Sequence, residues 1–519
     1  MACGVVRSPQ RASNSSTFIP TRLESGEDPI CAGLLDLDGD DVLDPVVVEN
    51  GLLDVYRLRG GKFVRQTFDL PVHPSPQGDD ALGCAAADFD GDGRLDILVA
   101  DFSGGVVAWN DGAGGFTVAP LPAFAGGLDG DAFSATPIDV DGDGRPDVFI
   151  GREGAVGQAA GEAAERDPLC TENGNSNQLA CADFVQAAPE LSPRPVLLHN
   201  DGGRAFSVTK GPDEKQWTQA SAALDLDGDG RQELLACNHL SHNFVYRVRQ
   251  GALLPAPELG LDGLSLCMGI AYGDLDGDGV PKLVLSVIGE PQVLWRGADG
   301  RYLPDDKISL APYGQWAWGV AMEDLDNDGD LDLLFANQLL SRDDWQAICP
   351  RCPIGRRPEA ELLIDRNDGH DGFTPEQPVT FGDEGPHDRG GRALVVGDVD
   401  GDGILDALLV RRTIHGPSSV WFLRGQATHP GGFVEVTAPV GSVVRVCAGL
   451  RCSSRQVISG GSLLAMPPTR LHFGLGRRTS ARVSVRLPDG SRRKLGEVPS
   501  GSRLVVPALP SGGESPPLP

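Results

Sequence analysis

The sequence predicts an all-β chain: a seven-bladed β-propeller followed by a small C-terminal β-sandwich-like domain. Three observations carry that prediction. A nine-residue acidic phrase recurs seven times, beginning at Asp36, Asp88, Asp139, Asp225, Asp274, Asp324 and Asp398. The intervals between copies are 52, 51, 86, 49, 50 and 74 residues, and the four near fifty leave room for four short strands per repeat. Apolar runs flank each phrase, as Ile97-Leu-Val and Leu333-Leu-Phe show, so each phrase joins strand to strand and not helix to helix. Closing such an array into a ring removes its exposed edges.

Each phrase has the spacing of a calcium loop between strands one and two of its blade. Carboxylates at positions 1, 3 and 5 of a tight turn converge on one hard cation, a peptide carbonyl at position 7 adds to the shell, and an acid at position 9 closes it. The candidate ligands are Asp36, Asp38, Asp40 and Asp44; Asp88, Asp90, Asp92 and Asp96; Asp139, Asp141, Asp143 and Asp147; Asp225, Asp227, Asp229 and Glu233; Asp324, Asp326, Asp328 and Asp332; and Asp398, Asp400, Asp402 and Asp406. Glycine occupies the turning position 6 in six copies, and Asp41 replaces it in the first. The fifth copy ends in Lys282, whose ammonium cannot ligate a cation and is placed to stand where calcium would. About six calcium sites are expected, with the fifth loop set apart.

Charge supports the same division. Net charge is -29, and the seven loops hold 29 acidic residues; setting these aside leaves 44 of the 73 acids against 44 Lys and Arg. Such a chain would repel phosphates, which argues against a nucleic-acid partner. From Ala427 onward there are twelve Lys/Arg and four Asp/Glu, which marks a separate unit. Eleven cysteines point to an oxidising compartment. Cys170 with Cys181 and Cys447 with Cys452 are spaced to bridge, and Cys349 and Cys352 share a turn without the second pair that a zinc site needs. For Cys31, Cys84, Cys237 and Cys267, pairing between neighbouring repeats and burial as small thiols both stay open.

In order, residues 1–16 read as a tether or signal remnant, 17–426 as the propeller, 427–507 as the C-terminal domain and 508–519 as a disordered Pro-rich tail. Met1-Ala2-Cys3-Gly4 resembles the end of a bacterial lipoprotein signal, so a lipid anchor at Cys3 is one expectation. No run of 18 apolar residues is present to form a transmembrane segment. Asn-Asp-Gly at Asn110, Asn200 and Asn367 marks hairpin turns. The seventh blade runs out of strands before Phe433, so Thr17-Phe18-Ile19 is expected to complete it. The two long intervals come from insertions at 151–195 and 341–358, both between strands two and three. They therefore emerge on the face opposite the acidic loops. Trp217, Trp316 and Trp318 lie near that face, either as blade packing or as a ligand rim.

The form Asp-x-Asp-Gly-Asp-Gly-x-x-Asp between strands resembles FG-GAP and VCBS-type calcium repeats from residue 17 to about 425. The tail, Arg470-Leu-His-Phe-Gly-Leu-Gly476 after Gly460-Gly-Ser-Leu-Leu and before Val483-Ser-Val-Arg-Leu-Pro-Asp-Gly490, resembles an ASPIC/UnbV domain, with Leu487 where a Trp is usual. The combination resembles the bacterial branch of the cartilage-acidic-protein-like family. That resemblance implies a secreted or cell-surface, calcium-stabilised binding or adhesion module for an extracellular protein or glycan, without catalysis. The alternative is a propeller enzyme with a site near His239 and His242. His472, on an apolar strand, reads as a core histidine. No Gly-x-Ser-x-Gly, His-Glu-x-x-His, P-loop or dinucleotide fingerprint occurs.

Overall fold

The computed structural model describes residues 17–507, apart from 73–81, 125–129, 155–192, 311–314, 339–359, 382–388, 414–417 and a few isolated positions. The cysteines at 3, 170, 181, 349 and 352 lie outside the described residues, as do the tether, the tail and most of both insertions. Among the described residues the regular structure is β throughout, with one short 3₁₀ turn at Pro257–Leu259.

The strands form an all-β propeller of seven four-stranded antiparallel units. Their inner strands are Pro29–Leu35, Gly83–Ala87, Asp131–Ile138, Thr218–Leu224, Cys267–Gly273, Gln315–Glu323 and Arg389–Gly397. Each is followed by an acidic loop and then by a second strand that is buried on both faces, such as Asp96–Ala100 or Glu233–Asn238. That double burial explains why the second strands read as continuous apolar runs and not as alternating ones. The ring closes because Pro29–Leu35 packs against Arg389–Gly397. The seventh unit is completed from the other end of the chain, where Phe18–Leu23 pairs antiparallel with Ser419–Gly425.

Two disulfides tie neighbouring units together: Cys31 to Cys84 between the first and second, and Cys237 to Cys267 between the fourth and fifth. This settles the alternatives the spacing left open. Cys447 and Cys452 face each other across a hairpin in register and are bonded.

The C-terminal domain is a sandwich of a three-stranded sheet (Gly432–Thr437, Arg470–Gly476, Ser502–Val505) and a four-stranded one (Val443–Ala448, Arg451–Gln456, Ser480–Arg486, Arg492–Pro499). Its own core includes Val434, Val446, Phe473 and Val485. One segment of it leaves the sandwich and enters the propeller. Ser459–Gly460 pairs with Ala222 and Ala223 of the fourth inner strand, and Ala465–Met466 pairs in parallel with Ala32 and Gly33 of the first. Between them, Ile270 N–H donates to Gly461 O at 3.0 Å, Ala32 N–H to Leu464 O at 3.0 Å, and Val320 N–H to Ser462 Oγ at 3.1 Å. These are edge groups of the inner strands, which would otherwise be buried without partners in the central channel. Leu463, Leu464, Ala465 and Met466 are all buried, in one cluster with residues of the first, second and seventh units. Gly460 is required there: its φ is 72°, and a Cβ would lie 2.2 Å from Ser221 O.

Candidate metal centres

All seven acidic loops fold alike. The position-1 carboxylate turns back on its own loop, and its Oδ2 accepts the N–H of position 6: Gly93 to Asp88 at 2.9 Å, Gly144 to Asp139 at 3.0 Å, Gly329 to Asp324 at 2.8 Å, and Asp41 to Asp36 at 3.1 Å despite its side chain. Asp41 reaches this conformation at φ 67°. The position-9 acid begins the second strand and braces the loop from below. Asp96, Asp147, Asp332 and Asp406 each accept the position-2 N–H on one oxygen and a third-strand or strand-end N–H on the other, at 2.8 to 3.2 Å. Two of these oxygens take a second contact: His199 Nδ1 lies 2.9 Å from Asp147 Oδ1, and Arg366 Nη1 donates to Asp332 Oδ2 at 2.6 Å.

Ligand atoms of Asp36, Asp38 and Asp40, of Asp88, Asp90 and Asp96, of Asp139, Asp141 and Asp147, and of Asp225, Asp227 and Asp229 lie within 4.8 Å of one another in each group. The same holds for Asp274, Asp276 and Asp278 of the fifth loop. Several loop oxygens are buried with no hydrogen-bond partner: Asp44 Oδ2 in the first loop, Asp225 Oδ1 and Glu233 Oε1 in the fourth, and Asp274 Oδ1 in the fifth, with Arg57 Nε 4.0 Å from the first and Arg247 Nε 3.8 Å from the Glu233 oxygen. Carboxylates crowded and buried in this way resist ionisation. Burial, helped by neighbouring acids, pushes Asp44 and Glu233 up to about 7 and Asp406 up to about 8. An unpaired buried acceptor is costly, and a cation with six to eight oxygen ligands would satisfy all of them at once. The donor set therefore fits a hard divalent ion.

In the fifth loop Lys282 stands where such an ion would sit. Its Nζ donates to Asp276 Oδ1 at 3.0 Å, Asp278 Oδ2 at 3.2 Å and Val280 O at 3.2 Å, which are positions 3, 5 and 7.

The C-terminal domain sits on this loop-bearing face. The sixth loop is buried under it: His472 Nε2 lies 2.5 Å from Asn327 Oδ1, Gly476 N–H donates to Asn327 O at 2.8 Å, and a Cβ on Gly474 would lie 2.0 Å from Asp324 Oδ2. The Leu-His-Phe-Gly-Leu-Gly run is thus a seat for an acidic loop, and His472 is the buried structural histidine expected of it. Burial works against the charge of Glu435, but His472 and Arg503 together hold its carboxyl below the usual value. Arg486 Nη2 reaches Asp225 Oδ2 at 3.0 Å, Arg503 Nη2 reaches Asp398 Oδ2 at 2.6 Å, Arg451 pairs with Asp330, and buried Arg455 pairs with Glu323 at 2.6 Å. None of these partners is legible from sequence beyond the basic balance of the tail.

Sequence reasoning also missed the role of the Asn-Asp-Gly asparagines. Asn110 Nδ2 donates to Leu37 O at 2.7 Å, Asn200 Nδ2 to Phe89 O at 2.8 Å, and Asn367 Nδ2 to Leu275 O at 2.6 Å. Each crosses to the acidic loop of the preceding blade, and the regular recurrence of Asn at the third-strand end was the available signal.

On the opposite face, of the two readings left open for the tryptophans, the structure favours blade packing. Trp217 and Trp318 are buried, and Trp316 is half-buried and stacked on Trp318 at 4.8 Å. His239 is buried, with Nδ1 3.1 Å from Glu153 Oε1 and 3.1 Å from Gln219 Nε2, whereas His242 is exposed. The carboxylate beside His239 comes from the preceding blade, 86 residues away, where a local scan does not find it.

The family model described as FG-GAP-like repeat matches residues 36–99, 88–150, 225–285 and 283–335, and the model described as ASPIC and UnbV matches 435–511. Cartilage acidic protein 1 of Xenopus tropicalis is 27% identical over 516 residues, covering 91% of this chain and 71% of that protein. The mouse and human proteins of the same name are each 26% identical over 79% of this chain, which spans 62% and 60% of their lengths. Among solved structures, an Agrocybe aegerita lectin described as recognising non-reducing terminal N-acetylglucosamine is similar at TM-score 0.41 and 15% identity, over 78% of this chain and 94% of that one. The V. cholerae biofilm matrix protein Bap1 is similar at TM-score 0.25 and 14% identity, over 92% and 70%. Among the described residues no helix is long and apolar enough to cross a membrane.

Proposed function

We propose, on the premise that the chain belongs to the FG-GAP-like repeat proteins ending in an ASPIC and UnbV domain, that it is a calcium-stabilised extracellular or cell-surface binding module. The observation that carries the reading is the set of buried carboxylate oxygens, several without a hydrogen-bond partner, that converge in loops of one design. The ligands are the position 1, 3, 5 and 9 acids of loops one to four, six and seven. Calcium supplies a hard dication that turns mutual repulsion into a cross-link between two strands. The chain's own residues do the rest: the position-6 N–H fixes the first carboxylate, the position-9 acid ties the loop to the second strand, and the bridging asparagines carry that order to the next blade. With calcium tenfold above Kd, each site adds about 1.4 kcal/mol, and six add about 8 kcal/mol. That is comparable with the whole stability of a typical domain, about 5–15 kcal/mol.

The partner, an extracellular protein or glycan, is assigned to the face opposite the calcium loops. The two long connections start after Glu153 and Gln338, at the ends of second strands, and so leave from that face. Calcium acts on the partner only through the blades that position this face. Calorimetric titration of the chelated chain with calcium tests the reading: about six equivalents with a raised melting temperature support it, and no heat with an unchanged melting curve defeats it.

A further inference from the structure

The cations of the C-terminal domain fall into two groups. Arg451, Arg455, Arg470, Arg486 and Arg503 face the propeller and are paired with Asp330, Glu323, Asp41, Asp225 and Asp398. Docking accounts for them. Arg445, Arg482, Arg492 and Lys494 are exposed and make no ion pair, and Arg477 and Arg478 flank them, also exposed. Strand alternation puts the first four on the outward face of the four-stranded sheet, because Val444, Val446, Ala481, Val483 and Val485 turn inward. Register sets their spacing. Arg445 lies opposite Ser484, which lies opposite Lys494; Arg492 is two residues along the same edge, and Arg482 is two residues from Ser484. At about 4.8 Å between strands and about 6.8 Å between alternate residues, the cations stand roughly 7–10 Å apart on a flat surface.

We propose that this sheet face binds a linear polyanion, a sulfated or carboxylated polysaccharide. Three observations select that occupant. The cations are unpaired in a chain of net charge -29, so the patch is not a general excess of positive charge. Guanidinium groups suit planar, bidentate binding of carboxylate and of oxyanions such as sulfate. Ser484 lies between Arg445 and Lys494, and Ser454 flanks Arg445, so no apolar wedge to seat a bilayer stands in that row; the one acid on this face, Glu497, lies opposite Arg482 and takes a hydrogen bond from Ser480 Oγ, which leaves the Arg445, Arg492 and Lys494 end for the anionic chain. The choice of a polysaccharide rests on the extracellular setting proposed above; the patch itself does not depend on the acidic loops holding metal.

The test uses the full chain with calcium kept saturating, presented to immobilised heparin and hyaluronan and to phosphatidylserine vesicles. Binding to one or both polysaccharides is expected, stronger on heparin if sulfate is the group recognised, with Kd rising steeply with salt. The triple variant R445E/R482E/K494E should weaken binding more than tenfold and lower the slope of log Kd against log salt by about three. R59E on the exposed hairpin of the first blade should change nothing. Equal melting temperatures of the variants and the parent exclude misfolding. Passage through both polysaccharides at low salt overturns the proposal, as does a triple variant that binds like the parent, or binding to vesicles alone. Any of these outcomes leaves calcium-dependent melting untouched, so this failure is separable from failure of the calcium reading.

Discussion

Lys282 Nζ sits 3.0 Å from Asp276 Oδ1 and 3.2 Å from Asp278 Oδ2, an ammonium held inside the loop by the residue that takes the place of the position-9 acid of the other six. The fifth blade thus carries its own cation. It should remain ordered in chelator and take up no calcium. Replacing Lys282 with Asp restores the acidic phrase and should add one calcium equivalent by titration. The same variant without metal should melt lower than the parent, because three loop acids lose their internal counter-ion. A parent protein binding calcium at this loop in anomalous diffraction defeats the argument.

The raised carboxyls give the metal-free protein an unusual pH response. Asp44, Glu233 and Asp406 have folded-state values of about 7, 7 and 8, against ordinary values of 3.8, 4.5 and 3.8. The folded state therefore holds more protons than the unfolded state between about pH 4 and 8, and stability falls as pH rises through that window. Calcium reverses the sign, since it binds the ionised form and protons compete with it. In chelator, the melting temperature should be higher at pH 5 than at pH 8; in millimolar calcium, the order should invert. Parallel curves in the two conditions would show that the loops do not exchange protons for metal.

The repeat was legible because a metal loop constrains side chains at fixed spacing, and strands leave a polarity signature on both sides of it. Lys282 was legible for the same reason, as one wrong residue in a fixed phrase. The seat of the C-terminal domain was not. Arg486 meets Asp225 across 261 residues and His472 meets Asn327 across 145, and local pattern carries no trace of either pairing. Gly460 and Gly461 could be read as a turn, yet nothing local says that the segment after them fills the channel of another domain. The tryptophans stayed ambiguous between packing and a rim, since proximity to a strand end does not decide which way an indole turns.

The inter-blade disulfides should matter more than their number suggests. Cys31–Cys84 and Cys237–Cys267 span 53 and 30 residues, and each joins neighbouring blades. Constraint of the unfolded chain alone predicts about 3–4 kcal/mol for loops of that length. The Cys237→Ser/Cys267→Ser variant should melt markedly lower at fixed calcium. Labelling of the native, unreduced protein should spare all six bonded cysteines, and their full modification would remove both the bridges and the oxidising compartment they imply.

The last expectation concerns the segment shared by the two domains. Residues 459–466 satisfy edge N–H groups on the first, fifth and sixth inner strands and pair with the fourth, so the channel is complete only when the sandwich is docked. Arg455 reinforces the docking: buried between the two domains, it donates to both oxygens of Glu323 and to Met322 O. The propeller and the sandwich should therefore unfold together, in one calorimetric transition. Leu464→Ala should destabilise both by about 2–5 kcal/mol, the range for truncating a buried Leu. Arg455→Ala should cost about 3–5 kcal/mol by leaving Glu323 without its partner. In either variant, protease should cut the propeller and the sandwich at similarly increased rates. If the sandwich melts first, leaving a propeller with its full calcium dependence, then the channel segment is an accessory, and the inner strands close the ring without it.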